Sequence, residues 1–440
     1  MIHFAKRRPM QKKVRTLFFL VNFAVAACAQ KYEKFPAGQA IRGDVLTFDS
    51  SVINDPSDIP KFRYGPQTFA EMNNVENLSG PRFRMLLGGD LRIQESIGTV
   101  ITNSEFTGYT IPRLEYRTVD GVVKPLNSKS LAMLSAGYQF DALINKVQDL
   151  TGKQPSEFFQ GYDQFSIIFH PSIEITDSGE QTRKYENSNA AYVAGAKQFA
   201  LFSLGNSERV PMSFNPQVLA HEFGHAIFER SFFANKYERC TPGQEYEDRL
   251  FKGRLETEFI VRGINEGFAD FVSFVWTGST NILQSSVGDS LATRERDFSK
   301  FALDYETYST KESLACQGRF YCIGTLWAKT LFEVFNSRGL DAKSIQSRQT
   351  FLREVVSLKE TVGNLLRENQ GERLPDLDAS VRNCLSRDTL RPFNDGDLLA
   401  AFFESLIESA EPALRQSYCS AIIKYFGTSG FPVSARGGCP

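Results

Sequence analysis

The spacing of apolar positions changes character near residue 215. Before it, short apolar runs such as "FSIIFH" (165–170) and "KQFALFSLG" (197–205) are followed by Pro or Gly, and predict strands. Residues 82–125 hold similar short runs, among them "GYTIPRLEYRTV" broken by "DG", and predict β-structure with turns. Between these, residues 130–152 carry apolar residues at helical spacing and stop at Gly152. Residues 29–80 are rich in Pro, Asp, Asn and Gly, lack periodicity, and read as a tether leading into irregular structure.

After residue 215 the spacing is helical. Asn215-Pro216 can cap and open a helix. The segment 264–278 places Phe268, Phe271, Val272 and Val275 on one face and ends at Gly278. Residues 323–339, 346–368 and 395–410 predict further helices. The expected class is α+β: a β-containing N-terminal lobe (about 81–215), a central helix within it, and a mainly helical lobe (about 216–440), preceded by the irregular segment 28–80.

The first 27 residues stand apart. Six Lys/Arg and no acid precede a 12-residue apolar run, "TLFFLVNFAVAA", too short to span a membrane and suited to a secretory signal. "VAAC" (Val25–Cys28) resembles the lipobox of bacterial lipoproteins, which would make Cys28 the lipidated first residue and anchor the chain to an outer membrane or cell surface. An ordinary signal peptide, releasing a periplasmic or secreted protein, is the alternative. Without this segment 44 basic residues face 51 acidic ones, net −7, a balance unsuited to nucleic acid. Six cysteines besides Cys28 allow up to three disulfides, and Cys316 with Cys322 would close a short loop.

The chemistry concentrates in "QVLAHEFGHAIFER" (217–230). His221 and His225 lie one helical turn apart on one face, a spacing at which two imidazoles can share one zinc ion. Glu222, one position along, can reach a zinc-bound water without ligating the metal. Leu219, Phe223, Ala226 and Ile227 form the opposite, core-facing side. Gly224 is a poor helix former, tolerable where another element packs close. The chain has four histidines, so two at this spacing around a glutamate are not casual. A catalytic zinc needs a third protein ligand. Phe228 and Ser231 stand where a metzincin needs Gly and His, which excludes that branch. "NEGFAD" (265–270) supplies Glu266 as the candidate third ligand. Asp270, on the same face, can orient a zinc histidine, most simply His221.

With "HEFGH", "NEGFAD" and "YCIGTLWAKTLFEV" the chain resembles the gluzincin metallopeptidases, the thermolysin and fungalysin families in particular, over about residues 130–340. The resemblance implies a two-lobed zincin fold with the site in the cleft and a zinc endopeptidase acting on protein or peptide. It further implies His221, His225 and Glu266 as ligands and Glu222 as general base. Two departures follow. His225 and Glu266 are 41 residues apart, so an insertion at about 231–260 must loop out. No histidine follows His225, and Tyr321 occupies the position of the fungalysin-like histidine, so Tyr321, or alternatively Arg319, is the candidate oxyanion donor. In "SNAAYV", Asn189 and Ala190 match the substrate-binding "NA" of these families. His170, before Pro171 at a strand end, reads as structural. The expected protein is a monomer. The rival function is a zinc-stabilised binding or structural lipoprotein that has lost turnover. An aminopeptidase is disfavoured because no "GxMEN"-type motif is present.

Overall fold

Asn127 starts the helix around which the N-terminal half is built. Its side chain accepts the Ser130 N–H at 2.7 Å, capping α1 (Ser128–Asn145). The computed structural model describes residues 37–49, 61–96, 100–159, 164–176, 182–185, 190–193, 198–201, 210–232, 255–287, 296–301, 319–357, 403, 406–408 and 410–427. Within these, α1 is buried nearly all round, which is why both apolar (Met133, Leu134, Phe140, Leu143) and small polar residues (Ser130, Ser135) line it. A short α2 (Val147–Thr151) follows and ends at Gly152, whose φ of +74° is the left-handed stop expected of it. The four-residue α3 (Pro155–Phe158) completes this run.

The strands of the described residues form three four-stranded sheets, and α1 packs chiefly on the first of them. The first has order β2-β1-β7-β6, from β1 (Gln39–Asp49), β2 (Lys61–Met72), β6 (Tyr116–Val119) and β7 (Val122–Pro125). It corrects the reading of 28–80 as irregular: β1 and β2 form a long antiparallel ladder running from Gln39↔Met72 to Asp49↔Lys61. The strand signal was hidden because β2 is largely solvated. Only Phe69 and Met72 are buried, and Gly65-Pro66, a turn signal in isolation, sits inside the strand. The Asp120-Gly121 turn joining β6 to β7 has both φ values positive, as a tight hairpin requires.

The other two sheets are one pair of parallel strands bent in the middle. β3 (Phe83–Leu87) and β8 (Phe165–Phe169) belong to a sheet of order β11-β12-β8-β3, with β11 (Ala190–Val193) and β12 (Gln198–Leu201). Past the bend they continue as β4 (Asp90–Ser96) and β9 (Ser172–Thr176), in a sheet of order β10-β9-β4-β5 with β5 (Val100–Thr107) and β10 (Thr182–Tyr185). The ladder survives the bend through Gly88 N–H to Phe169 O and Ser172 N–H to Gly89 O, each 2.9 Å. A Cβ on Gly89 would lie 2.8 Å from the Phe106 ring and from the Thr107 carbonyl oxygen, so the turn admits only glycine. On the partner strand His170 takes the corner at φ +56°, with its ring stacked on Phe169 at 4.1 Å. His170 is therefore a corner residue, in line with its structural reading.

Beyond residue 201 the described elements are helical: α4 (Pro216–Phe232), α5 (Leu255–Thr277), α6 (Gln284–Val287), α7 (Arg319–Ser337), α8 (Ile345–Ser357) and α9 (Pro412–Phe426). The chain is thus α+β, with strands gathered before residue 202 and helices dominating afterwards. Two boundaries differ from expectation. Residues 255–260, at the end of the insertion expected to loop out, are the first turns of α5, where Leu255, Glu256 and Glu258 favour the helix. Tyr321 and Cys322 lie inside α7 rather than in a loop. Cys322 and Cys419 are both disulfide-bonded. Cys28, Cys240, Cys316, Cys384 and Cys439 fall outside the described residues. Among the described residues no helix is long and apolar enough to cross a membrane.

α1 is joined to the first sheet by side chains that serve its backbone. Ser135 accepts from Leu46 N–H at 3.0 Å, Asp141 from Ala70 N–H at 2.7 Å, and Ser130 from Glu115 N–H at 3.0 Å. Asp141 is 4% exposed, and its burial lifts the carboxyl to about 6 despite the hydrogen bonds from Ala70 and Asn145. The folded state therefore holds this proton more tightly than the unfolded chain. Its contribution is full below pH 4 and is lost as pH rises through about 6, a swing of about 3 kcal/mol. Asp141→Asn is expected to remove that slope and to raise the unfolding midpoint at pH 7. Thermal melts of both proteins between pH 4 and 8 check it, and parallel curves would exclude the carboxyl as the source.

Candidate metal centre

The helix that carries the two histidines is fixed at both its start and its middle. Asn215 Oδ1 accepts the Gln217 N–H at 3.0 Å, while its Nδ2 donates to Ser285 and Ser286 hydroxyls at 3.0 and 2.8 Å. Leu219, Phe223, Ala226 and Ile227 are fully buried, as the spacing predicted. Gly224 faces α5 so closely that a Cβ there would stand 2.7 Å from Ala269 Cα. This contact explains the glycine in mid-helix and sets His221 and His225 against the Glu266 turn of α5.

α5 is itself pressed against α7. A Cβ on Gly267 would lie 2.1 Å from the Gly324 carbonyl oxygen, and one on Gly324 would lie 3.0 Å from Glu266 Cβ. The glycine of "IGTLW" is thus a crossing point. One turn before it on α7, Tyr321 is brought beside the Glu266 end of the site.

His221, His225 and Glu266 each point a donor atom at the same place, all within 4.8 Å of one another. The two Nε2 atoms are 3.0 Å apart, Glu266 Oε2 is 3.4 Å from His221 Nε2, and Glu266 Oε1 is 3.8 Å from His225 Nε2. Tetrahedral zinc with bonds of about 2.0–2.1 Å holds its ligand atoms roughly 3.3 Å apart, so these separations fit that ion. The far side of each ring supports the same assignment. His225 Nδ1 is 2.9 Å from Asn265 Oδ1, an acceptor. His221 Nδ1 is 2.7 Å from Asp270 Oδ1, although the ring is turned so that its N–H is not aligned with that oxygen. Both Nδ1 atoms then carry the protons, and in the neutral rings both Nε2 atoms present lone pairs to one another. Such a pairing is repulsive until a cation lies between them. Without a metal, burial opposes charge on His221, but Asp270 and Glu266 outweigh it and lift the imidazole to about 10. Binding a cation there must displace that proton.

Glu222 is buried on the same helix and stands outside the donor set. Its Oε2 accepts the Tyr192 N–H of β11 at 2.7 Å. The outermost strand of the second sheet thereby touches the carboxylate beside the histidines.

A scan of protein-family models and a search of curated proteins both find no match to this chain.

The remaining candidates divide. Ala190 begins β11, at the edge of its sheet and two residues from Tyr192. Asn189, Cys28 and the Arg319 side chain lie outside the described residues. Tyr321 is 37% exposed and its phenol is held above its ordinary value, first by the Glu266 charge and then by burial, so it remains an O–H donor at neutral pH.

Three contributors escaped the sequence reading. Arg296 lies at the centre of the carboxylates: Nη2 donates to Asp270 Oδ1 at 2.5 Å and to Glu266 Oε2 at 3.1 Å, and Nε to Asp270 Oδ2 at 3.3 Å. Its neighbours in "TRERD" (293–297) are mostly charged, and no motif or spacing sets Arg296 apart from them. Asn265 falls within "NEGFAD", and its only signal there is a polar residue inside an apolar helix. The Tyr192 donor is a backbone group, which no residue type announces.

Proposed function

We propose that this chain is a zinc-dependent endopeptidase of the gluzincin type, in a two-lobed zincin arrangement with the site between the sheets and the helical lobe. The convergence of three lone-pair donors beside a carboxylate kept out of the donor set carries this reading. A purely structural metal site needs no carboxylate beside its ligands, and the Tyr192 N–H engages only Oε2 of Glu222. The resemblance of "HEFGH" and "NEGFAD" to thermolysin-like and fungalysin-like enzymes supports it.

His221, His225 and Glu266 would hold the metal, with Asp270 and Asn265 orienting the two rings. Zinc, when bound, supplies an acidified water and polarises a carbonyl. Glu222, with Oε2 held by the Tyr192 N–H, keeps Oε1 to take the proton of the attacking water and return it to the leaving amine. The Tyr321 O–H donates to the carbonyl oxygen as it gains charge. β11, with Ala190 and the preceding Asn189, aligns an extended substrate through main-chain pairing. Export behind the first 27 residues, with Cys28 as lipid anchor, would place this activity at a membrane surface, acting as a monomer on protein or peptide.

The test is casein or a quenched peptide library incubated with metal-loaded protein, with and without chelator. Chelator-sensitive cleavage restored by zinc is expected. His225→Ala is expected to lose both bound zinc and cleavage. Stoichiometric zinc binding with no cleavage of any peptide would favour the binding-protein rival.

A further inference from the structure

Arg296 touches three groups that the site uses for different purposes. Its fork rests on both oxygens of Asp270, its Nη2 also reaches Glu266 Oε2, and its Cζ lies 4.9 Å from the centre of the Tyr321 ring. The side chain is 13% exposed, so these contacts are made largely out of water. Its charge is shared between two carboxylates one helical turn apart on α5.

We propose that Arg296 is a positioning residue that confines Glu266 to one metal-facing oxygen and fixes the Tyr321 ring at the site. The proposal rests on the zinc-peptidase reading above. Glu266 has two oxygens facing the histidines, Oε2 toward His221 and Oε1 toward His225. Both could bind one ion, and a two-oxygen grip would fill the position an attacking water needs. An N–H on Oε2 uses that oxygen's charge and leaves Oε1 to the metal. The second half concerns Tyr321, which projects from the first turn of α7 and is partly open to solvent. A planar guanidinium at this distance holds an aromatic ring by its face, which a lysine ammonium cannot do in the same geometry. One side chain therefore couples the ligand's binding mode to the oxyanion donor's position.

The test compares full-length wild type with Arg296→Lys, which keeps the charge and loses the fork and the plane. Each protein is loaded with cobalt in place of zinc, and its visible absorption reports coordination number without any turnover. A weaker spectrum in Arg296→Lys, as Glu266 closes on the ion with both oxygens, is expected. For the zinc forms a kcat loss of about 10–100-fold with little change in KM is expected. In a Tyr321→Phe background the same substitution should cost several-fold less than in wild type, because the ring contact no longer places a hydroxyl and only the effect through Glu266 remains. An unchanged cobalt spectrum, or equal losses in both backgrounds, overturns the proposal. If Arg296→Lys does not accumulate, Arg296→Gln carries the same comparisons. Failure of the peptidase reading looks different: wild type would show a cobalt spectrum and cleave nothing. The spectral comparison would still decide the role of Arg296.

Discussion

Glu222→Gln protein is expected to bind one zinc ion per chain as wild type does and to cleave casein at least about 10²–10⁴-fold more slowly. The substitution is nearly isosteric. A glutamine oxygen can still accept the Tyr192 N–H, so β11 and α4 keep their relation. None of the converging donor atoms belongs to Glu222, which leaves metal binding intact. What disappears is the proton acceptor. Zinc content by atomic absorption and rate on a quenched peptide separate the two effects. Full activity in the zinc-replete variant would sink the general-base role, and loss of zinc would mean that Glu222 belongs to the ligand set.

Gly267→Ala should be the most damaging single-methyl change in the described part of the molecule. The added carbon would sit 2.1 Å from the Gly324 carbonyl oxygen, and backbone lies on both sides of the contact, so no side chain can swing away. Relief requires α5 and α7 to separate. Overpacking of this kind typically costs about 1–3 kcal/mol, and rigid backbone on both sides argues for the top of that range or beyond. Because Glu266 precedes Gly267 directly, zinc affinity should fall with stability. Gly65→Ala, where nothing lies within 4 Å of the new carbon, is the control and should change little. Chemical denaturation of the pair checks the prediction. Equal stability would mean that the two helices tolerate a wider crossing than they show.

Much of this site could be read from local pattern. α4 declared itself through a cap, a proline at its first turn, a core face and two histidines one turn apart. Glu266 and Asp270 stood out as acids in an apolar helix. Gly224 was legible in kind, since a poor helix former in mid-helix implies a close neighbour, but not the identity of that neighbour, Ala269. Other parts had no local signature. β2 is largely solvated and pairs with β1 through the backbone, so its side chains need not alternate. Arg296 acquires its role through contacts with residues 26 and 30 positions away in the chain. Residues 50–60 and 358–402, like the insertion before α5, lie outside the described residues.

The bonds between α1 and the first sheet bear on whether the N-terminal strands could be clipped away. Many secreted hydrolases carry an N-terminal piece that is clipped off to switch them on. Here the piece that would be clipped contributes Ile41, Val45, Phe69 and Met72 to the interior. It also engages Ser130, Ser135 and Asp141 of the helix behind the site. A cut between β7 and α1 would strip one wall from the core and leave those three side chains without their bonds. The described strands between residues 39 and 125 are therefore part of the folded core.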